Sequence, residues 1–192
     1  SEYEKYYHLE AVRTMREALA LDSEFAMAYL YLARSAAILF DIDLSREAME
    51  KAYRYSATAS EKERLQIAAG YAELVERDPD KRIRLLRESV RKYPDEKYAL
   101  FDLGRLLQGR REYPESITVM ERAVSLDPEF SFAVNQLAYA YAMSGNFDEA
   151  LRLFARYAEL NPGDVNPVDS IGETYIRMGR LAAAEEKFRE TL

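Results

Sequence analysis

Three prolines in this chain are spaced at equal intervals. Pro94, Pro128 and Pro162 lie 34 residues apart, and Ser60 stands one interval before the first of them. A fixed period of this length is the signature of an array in which each repeat forms one supersecondary unit that packs against its neighbours. The spacing therefore predicts a repeat array whose core runs along the chain.

The segment between Pro128 and Pro162 indicates what one repeat contains. Apolar residues recur three and four positions apart over residues 130–141, which is the pattern of an amphipathic helix. Gly145 interrupts this pattern, since glycine tolerates the left-handed backbone that ends a helix. A second amphipathic pattern covers residues 147–158 and stops before the next proline. The repeat is therefore predicted to be a helix–turn–helix unit.

The same frame fits the neighbouring segments. It predicts a single all-α domain over residues 1–192 with about eleven helices. The repeat limits are a half unit at 1–23 and units at approximately 24–60, 61–94, 95–128, 129–162 and 163–192. The first full unit is 37 residues long, and we expect its extra residues to lengthen a turn at Phe40–Leu44. The unit at 61–94 is the least regular, because Arg82 stands where other repeats carry alanine.

Several short motifs stand at matching places in these units. They are Leu103-Gly104, Ile171-Gly172 with Tyr175, Ala150 with Phe154, Ala184 with Phe188, and the closing prolines. This set resembles the tetratricopeptide repeat family, whose pattern combines Leu-Gly-x2-Tyr, Ala-x3-Phe and a final Pro over 34 residues. The resemblance implies a right-handed superhelical solenoid of antiparallel helix pairs. Small residues such as Gly104 and Gly172 would let two helices approach closely.

The resemblance also implies where a partner binds, because the first helices of tetratricopeptide units line a concave groove. By register, each first helix contributes two groove positions, and two of these helices add one aromatic residue. The positions are Leu30 and Arg34, Ile67 and Tyr71, Phe101 and Arg105, Asn135 and Tyr139, Asp169 and Glu173, together with Tyr98 and Phe132. All of them except Leu30 and Ile67 are our candidates for partner binding.

The candidate groove suits an extended peptide or a helix. Its aromatic residues offer contact area at low entropy cost, its arginines match carboxylates, and Asn135 can pair with a peptide backbone. The alternative is that Tyr71, Phe101 and Tyr139 only pack on one another between repeats. A clamp for the C-terminal carboxylate of chaperone tails is not predicted, because the matching positions lack the Lys/Asn, Asn, Lys/Arg set that such domains use.

Residue types that carry catalysis or bind metals are scarce. The chain has no Cys and a single His, His8, so a disulfide, a thiolate site or a metal site built on several histidines cannot form. No Gly-rich phosphate loop occurs, and paired carboxylates fall in predicted turns or on outer faces. The sequence therefore predicts a protein that is not an enzyme and needs no cofactor or metal ion.

Charge and hydropathy indicate which partners the chain disfavours. The net charge of -7 argues against nucleic acid and anionic membranes, and no apolar run approaches the roughly 20 residues of a membrane span. We expect a soluble protein, with the cytoplasm favoured over the periplasm. A basic run from Arg77 to Lys92 belongs mostly to a second helix, and we expect it to form a solvated outer face in preference to a docking surface for an acidic domain.

The chain begins at Ser1 within one helical pattern and ends at Leu192 within another. We therefore expect a piece of a longer protein, in which Leu181, Ala184 and Phe188 leave apolar surface open to further repeats or to a second copy. The predicted function is a non-catalytic scaffold that binds a peptide or protein segment in its concave groove. The alternative is a self-association module, or a regulatory domain of a larger signalling or envelope protein.

Overall fold

Helices form most of this molecule. The computed structural model describes residues 2–189, with side chains from Tyr6 onward, and within that range it has eleven α-helices, one 3₁₀ turn and no β-strand. The predicted all-α helical-repeat architecture is therefore confirmed. The helices are α1 (Glu2–Leu21), α2 (Ala26–Ile38), α3 (Ile42–Arg54), α4 (Glu61–Leu74), α5 (Pro79–Lys92), α6 (Lys97–Gly109), α7 (Tyr113–Leu126), α8 (Ser131–Ser144), α9 (Phe147–Leu160), α10 (Asn166–Arg177) and α11 (Leu181–Arg189), with the 3₁₀ turn at Ser56–Thr58.

The chain divides into two compact units, Ser1–Tyr93 and Pro94–Leu192. The first unit contains α1 to α5, and the second contains α6 to α11. Within each unit the connections between consecutive helices are short, so neighbouring helices pack against each other in antiparallel pairs. The single array and the repeat limits that the sequence predicts for residues 1–192 stay a prediction.

In the first unit, α2, α3 and α4 meet at a core of fully buried apolar side chains. Leu30, Met49 and Ile67 have no exposed surface. Gly70 lets α4 reach this core, since a Cβ at that position would lie 3.1 Å from Leu30 Cδ1 and 3.1 Å from Met49 Sδ. Leu30 and Ile67, which the repeat register placed in the groove, are therefore core residues. They offer no side-chain surface to a partner.

In the second unit, two helical glycines each face a large side chain of the following helix. A Cβ on Gly104 of α6 would lie 2.6 Å from Met120 Cε and 2.7 Å from Met120 Cγ, so only glycine fits against this buried side chain of α7. Ser116 of α7 also donates a hydrogen bond from Oγ to the Gly104 carbonyl at 2.8 Å. Gly172 of α10 faces Phe188 of α11 in the same way, at 2.5 Å. The predicted close approach of helices at these glycines is confirmed.

The apolar side of α11 is less open than the sequence predicts. Ala184 is buried, and Phe188 is half-buried beside Gly172. Leu181 is exposed, and it is the one residue of the predicted three that remains open to solvent. The difference arises because the absence of a side chain on Gly172 lets the Phe188 ring pack against α10.

Each of the five helix pairs within the described residues turns through one residue with a left-handed backbone. These residues have φ values between 53° and 87°, and each lies two positions before the second helix of its pair. They are Phe40 before α3, Arg77 before α5, Arg111 before α7, Gly145 before α9 and Gly179 before α11. Glycine adopts this backbone without steric cost, whereas phenylalanine and arginine adopt it with strain.

The longer first repeat carries its extra residues after α3 and not at Phe40–Leu44. Residues 39–41 connect α2 to α3, and the connection from α6 to α7, residues 110–112, has the same length. Residues 55–60, which include the 3₁₀ turn, form the longer connection from α3 to α4. The predicted position was wrong because the length of a repeat shows how many residues are extra but not where in the repeat they lie.

Two glycines of α6 give opposite predictions for the same substitution. Gly104→Ala places a methyl group against the buried Met120, and overpacking of this kind costs about 1–3 kcal/mol. A Cβ on Gly109 meets no atom within 4 Å. Gly109→Ala should therefore stabilise the protein by roughly 0.5–1 kcal/mol, because glycine has more conformational freedom to lose on folding. Urea denaturation measures both changes, and equal destabilisation by the two variants would contradict the close contact as the reason for glycine at 104.

The left-handed turns give a second pair of opposite predictions. Phe40→Gly relieves a backbone strain of about 1–2 kcal/mol and removes a ring that is 86% exposed. The freedom that glycine adds to the unfolded chain offsets part of this gain, which leaves a net stabilisation of about 0.5–1 kcal/mol.

Gly145→Ala is the matched variant, because its new Cβ would meet no atom within 4 Å and only the backbone is strained. It should cost about 1 kcal/mol. Thermal unfolding compares the two proteins. A loss of stability in Phe40→Gly would mean that the Phe40 side chain makes a contact worth more than the strain.

Candidate functional site

The predicted binding residues of the second unit lie on α6, α8 and α10, the first helices of its three pairs. Hydrogen bonds connect these helices. Gln108 Nε2 donates to the Gln136 carbonyl at 2.6 Å, and the hydroxyls of Tyr139 and Ser170 share a hydrogen bond at 2.7 Å. We name the set of predicted residues on these helices the first-helix face. It consists of Tyr98, Phe101 and Arg105 of α6, Phe132, Asn135 and Tyr139 of α8, and Asp169 and Glu173 of α10.

An aromatic cluster surrounds the starts of α6 and α8. The ring centroid of Phe130 lies 5.5 Å from that of Tyr98 and 5.1 Å from that of Phe101. The Lys97 ammonium stands 5.1 Å from the Tyr98 centroid and 5.4 Å from the Phe130 centroid. These ring–ring and cation–π contacts hold the cluster in one arrangement before a partner binds.

Lys97 is held over these rings by an ion pair. Its Nζ lies 2.5 Å from Asp127 Oδ2. This hydrogen bond raises the pKa of Lys97 and lowers the pKa of Asp127, so both groups are charged at neutral pH. The Lys97 side chain is therefore held against the aromatic cluster by this ion pair.

Two rings of the first-helix face remain open to solvent. Tyr98 is 56% exposed and Phe132 is 57% exposed, and they occupy equivalent positions one repeat apart. Phe101 is half-buried, and the guanidinium carbon of Arg105 lies 5.9 Å from its ring centroid. The face thus combines packed rings, which are held by their neighbours, with rings that are available for contact.

Asn135 is the unusual polar residue of α8. It is only 7% exposed, and its Oδ1 has no hydrogen-bond partner among the described residues. A buried acceptor without a partner costs about 1–3 kcal/mol, and native structures rarely contain one. A bound molecule can supply a donor to Oδ1 only if the Asn135 side chain turns outward, because Oδ1 is itself buried.

Tyr139, one turn further along α8, has a structural role. Its ring meets the buried Phe154 of α9 edge to face at a centroid distance of 5.0 Å, and its hydroxyl bonds to Ser170 of α10. These contacts are the packing role that we weighed against groove binding for the aromatic residues. The remaining residues of the face, Asp169 and Glu173, are both exposed on α10.

The two candidates of the first unit are half-buried. Arg34 lies on α2, and Tyr71 lies on α4. The Tyr71 ring stacks on Tyr53 of α3, with a centroid distance of 4.3 Å and an interplanar angle of 23°. This contact joins a first helix to the second helix before it, so packing occupies one side of the Tyr71 ring.

Three basic residues of α5 form ion pairs with acidic residues of their own unit. Lys81 pairs with Glu76 at 2.7 Å, and Lys92 lies 2.5 Å from Glu61 and 2.9 Å from Glu88. Arg82 forms an ion pair with Glu73. These pairs fit the expected solvated outer face better than a docking surface for an acidic domain.

Sequence reasoning missed several residues that shape the first-helix face. Lys97, Gln108 and Ser170 have no motif of their own, and their partners are about one repeat away in sequence. The opposite charges of Lys97 and Asp127 at the two ends of one helix pair were the available signal.

The residues that the structure describes contain neither a group of metal ligands nor a helix that could span a membrane. Within that part of the chain, no three acidic or histidine side chains group closely enough to hold a metal ion. None of the helices described is at once long and apolar enough to cross a bilayer.

Comparisons with known proteins identify the repeat. The tetratricopeptide repeat family model matches residues 67–129 and 101–165, which together span just over half of the chain. The TPR repeat-containing protein PA4667 of Pseudomonas aeruginosa is 28% identical over 108 residues, which cover 56% of this chain and 18% of that protein. This chain therefore spans less than a fifth of that relative's length.

Solved structures share the fold. A crystal structure of MamA gives a TM-score of 0.65 at 22% identity, with 87% of this chain and 90% of that chain covered. A crystal structure of YrrB, a TPR protein with an unusual peptide-binding site, gives a TM-score of 0.61 at 21% identity, with coverages of 90% and 88%. The match to the family model, the recurring helix pairs and the spacing of the prolines together show that this chain belongs to the tetratricopeptide repeat family.

Proposed function

We propose that this chain is a non-catalytic scaffold that binds a peptide or protein segment on its first-helix face. The observation that carries the proposal is the buried Oδ1 of Asn135, which lacks a hydrogen-bond partner among the described residues. An extended protein segment has one backbone N–H at each residue and must find acceptors for them when it is bound. Asn135 provides such an acceptor once its side chain turns outward, since Oδ1 is buried and unpaired in the free protein.

The aromatic residues near this acceptor favour a protein segment over a small molecule. Tyr98 and Phe132 are exposed on separate helices, so a ligand that covers both has to be extended. Aromatic rings also give a large contact area while losing few rotatable bonds. The contacts of Phe130 and Lys97 order the surrounding cluster in advance, which lowers the entropy cost of binding.

The family supports the same class of function. Solenoids of stacked helical repeats present extended surfaces, and these surfaces are what such proteins use for binding. The structural neighbour YrrB has a peptide-binding site. The scarcity of catalytic residue types in this chain, with no Cys and one His, favours binding over catalysis.

The aromatic contribution is tested with short peptides selected from a random display library against the 192-residue protein. Tyr98→Ala and Phe132→Ala should each weaken peptide binding by about tenfold or more, because each removes an exposed ring of the face. Phe40→Ala is the matched control, since that ring is exposed but lies in the first unit. Isothermal titration calorimetry measures the affinities, and equal losses in all three variants would contradict the proposed site.

Asn135→Leu separates binding from stability. The change replaces a buried side chain whose Oδ1 lacks a partner by an apolar group of similar shape, so it should raise the free energy of unfolding by about 1 kcal/mol. The same change should weaken peptide binding by about tenfold, because the acceptor is lost. Asn146→Leu, at an exposed position before α9, is the control and should leave peptide affinity unchanged. If Asn135→Leu lowers stability, the amide is satisfied within the fold and the proposal loses its main support.

A further inference from the structure

Charges on the first-helix face are segregated by helix. α6 contributes Arg105, α8 contains no charged residue, and α10 contributes Asp169 and Glu173. We infer that the bound segment is an extended peptide with an acidic side chain opposite α6 and a basic side chain opposite α10. The inference rests on the proposed function and names the chemistry of its ligand.

The cation of α6 is prepared to receive a carboxylate. Arg105 is exposed, and its guanidinium lies over the ring of Phe101, which limits the orientations that it samples. The other charged side chains of this helix are engaged within the fold, Lys97 with Asp127 and Asp102 with a partner of its own. Arg105 is therefore the charge of α6 that is suited to a bidentate contact with a ligand carboxylate.

The carboxylates of α10 are prepared to receive a cation. Asp169 and Glu173 are both exposed, and they are four positions apart, so they share one side of the helix. Like charges at this spacing repel each other. A basic ligand side chain between them removes that repulsion. Arg177, the remaining charged residue of α10, lies in the last turn, where it complements the helix dipole.

The distance between the cation of α6 and the carboxylates of α10 sets the spacing of the charged side chains in the ligand. Hydrogen bonds join α6 to α8 and α8 to α10, so the three helices lie side by side along the face in that order. Packed neighbouring helices are about 10 Å apart, which puts α10 roughly 20 Å from α6. An extended chain covers about 3.3 Å per residue, so the acidic and basic side chains of the ligand should be separated by about six residues. Asn135 lies on the middle helix, where its side chain, once turned outward, can accept a backbone N–H from the centre of the segment.

A selection of short random peptides against the 192-residue protein tests this inference. We expect the selected peptides to carry Asp or Glu and Lys or Arg about six residues apart, in one fixed order. The double variant Arg105→Glu with Glu173→Lys reverses the charge at the α6 end and cancels the net charge of Asp169 and Glu173 at the α10 end. Peptides whose acidic and basic residues are exchanged should bind this variant with an affinity at least about ten times that of the original peptides.

A control reversal uses charges on second helices of the same unit. Arg156→Glu with Glu185→Lys changes exposed residues of α9 and α11, and it should leave the preference for the original peptides unchanged. Circular dichroism checks that every variant retains its helices. A gain of affinity for the exchanged peptides also shows directly that the double variant is folded.

The outcomes separate this inference from the proposed function. Peptides that lose affinity with Phe132→Ala but show no charge preference would overturn the inference and leave the proposed function intact. If the library yields no peptide whose binding depends on Phe132, the proposed function itself is contradicted, and the inference fails with it. A charge preference that persists unchanged in the double variant would place the recognition elsewhere on the protein and overturn the inference.

Discussion

The close approach of neighbouring helices at small residues is the contact on which the rest of the structure depends. Gly104 and Gly172 each stand where a Cβ would collide with a large side chain of the second helix in the same pair. Gly70 allows a comparable approach in the first unit, where its Cβ position lies 3.1 Å from Leu30 and Met49 of the preceding helix pair. Interiors packed at this density lose contacts when helices separate by even a fraction of an ångström. Because the pairs are held so closely, the first helices of the second unit lie at fixed places, and their outer residues form a defined surface.

Much of this fold could be predicted from the sequence because its local signals recur in register. The apolar periodicity located the helices, and the small residues marked where they approach. The left-handed turns were visible only at glycine, as at Gly145. Phe40, Arg77 and Arg111 adopt the same backbone, but neither phenylalanine nor arginine signals a left-handed turn. In these cases the packing of the helix pair imposes the backbone, and the residue accommodates it with strain.

The candidate site was less predictable, since register identifies the side of a helix and not how far neighbouring helices cover it. Leu30 and Ile67 occupy the same repeat position as Phe101, yet the helices of the first unit enclose them completely whereas Phe101 is half-buried. The unpaired Oδ1 of Asn135 depends on the three-dimensional surroundings of one atom, which no spacing encodes. The support that Lys97 gives to the aromatic cluster likewise depends on a residue about one repeat away.

Several features of the first-helix face are costly for the isolated fold. Asn135 buries an acceptor without a partner. Asp169 and Glu173 place like charges on one side of α10, and the helix dipole offsets part of this cost at Asp169, which lies in the first turn. Residues that lower the stability of the fold are expected at functional sites, where a bound partner pairs with polar and charged groups that lack partners in the free protein. Both features lie on the same set of helices, which is why we regard this surface as the one that binds.

The side-chain amide of Asn135 reports most directly on this central claim. Its NMR signal, assigned by comparison with the spectrum of a variant that lacks it, can be followed while a selected peptide is titrated into the protein. We predict that this signal and the backbone amides of α6, α8 and α10 shift together as the complex forms, while those of α7 and α9 change little. Shifts confined to the second helices, with the Asn135 signal unmoved, would contradict the assignment of the binding surface.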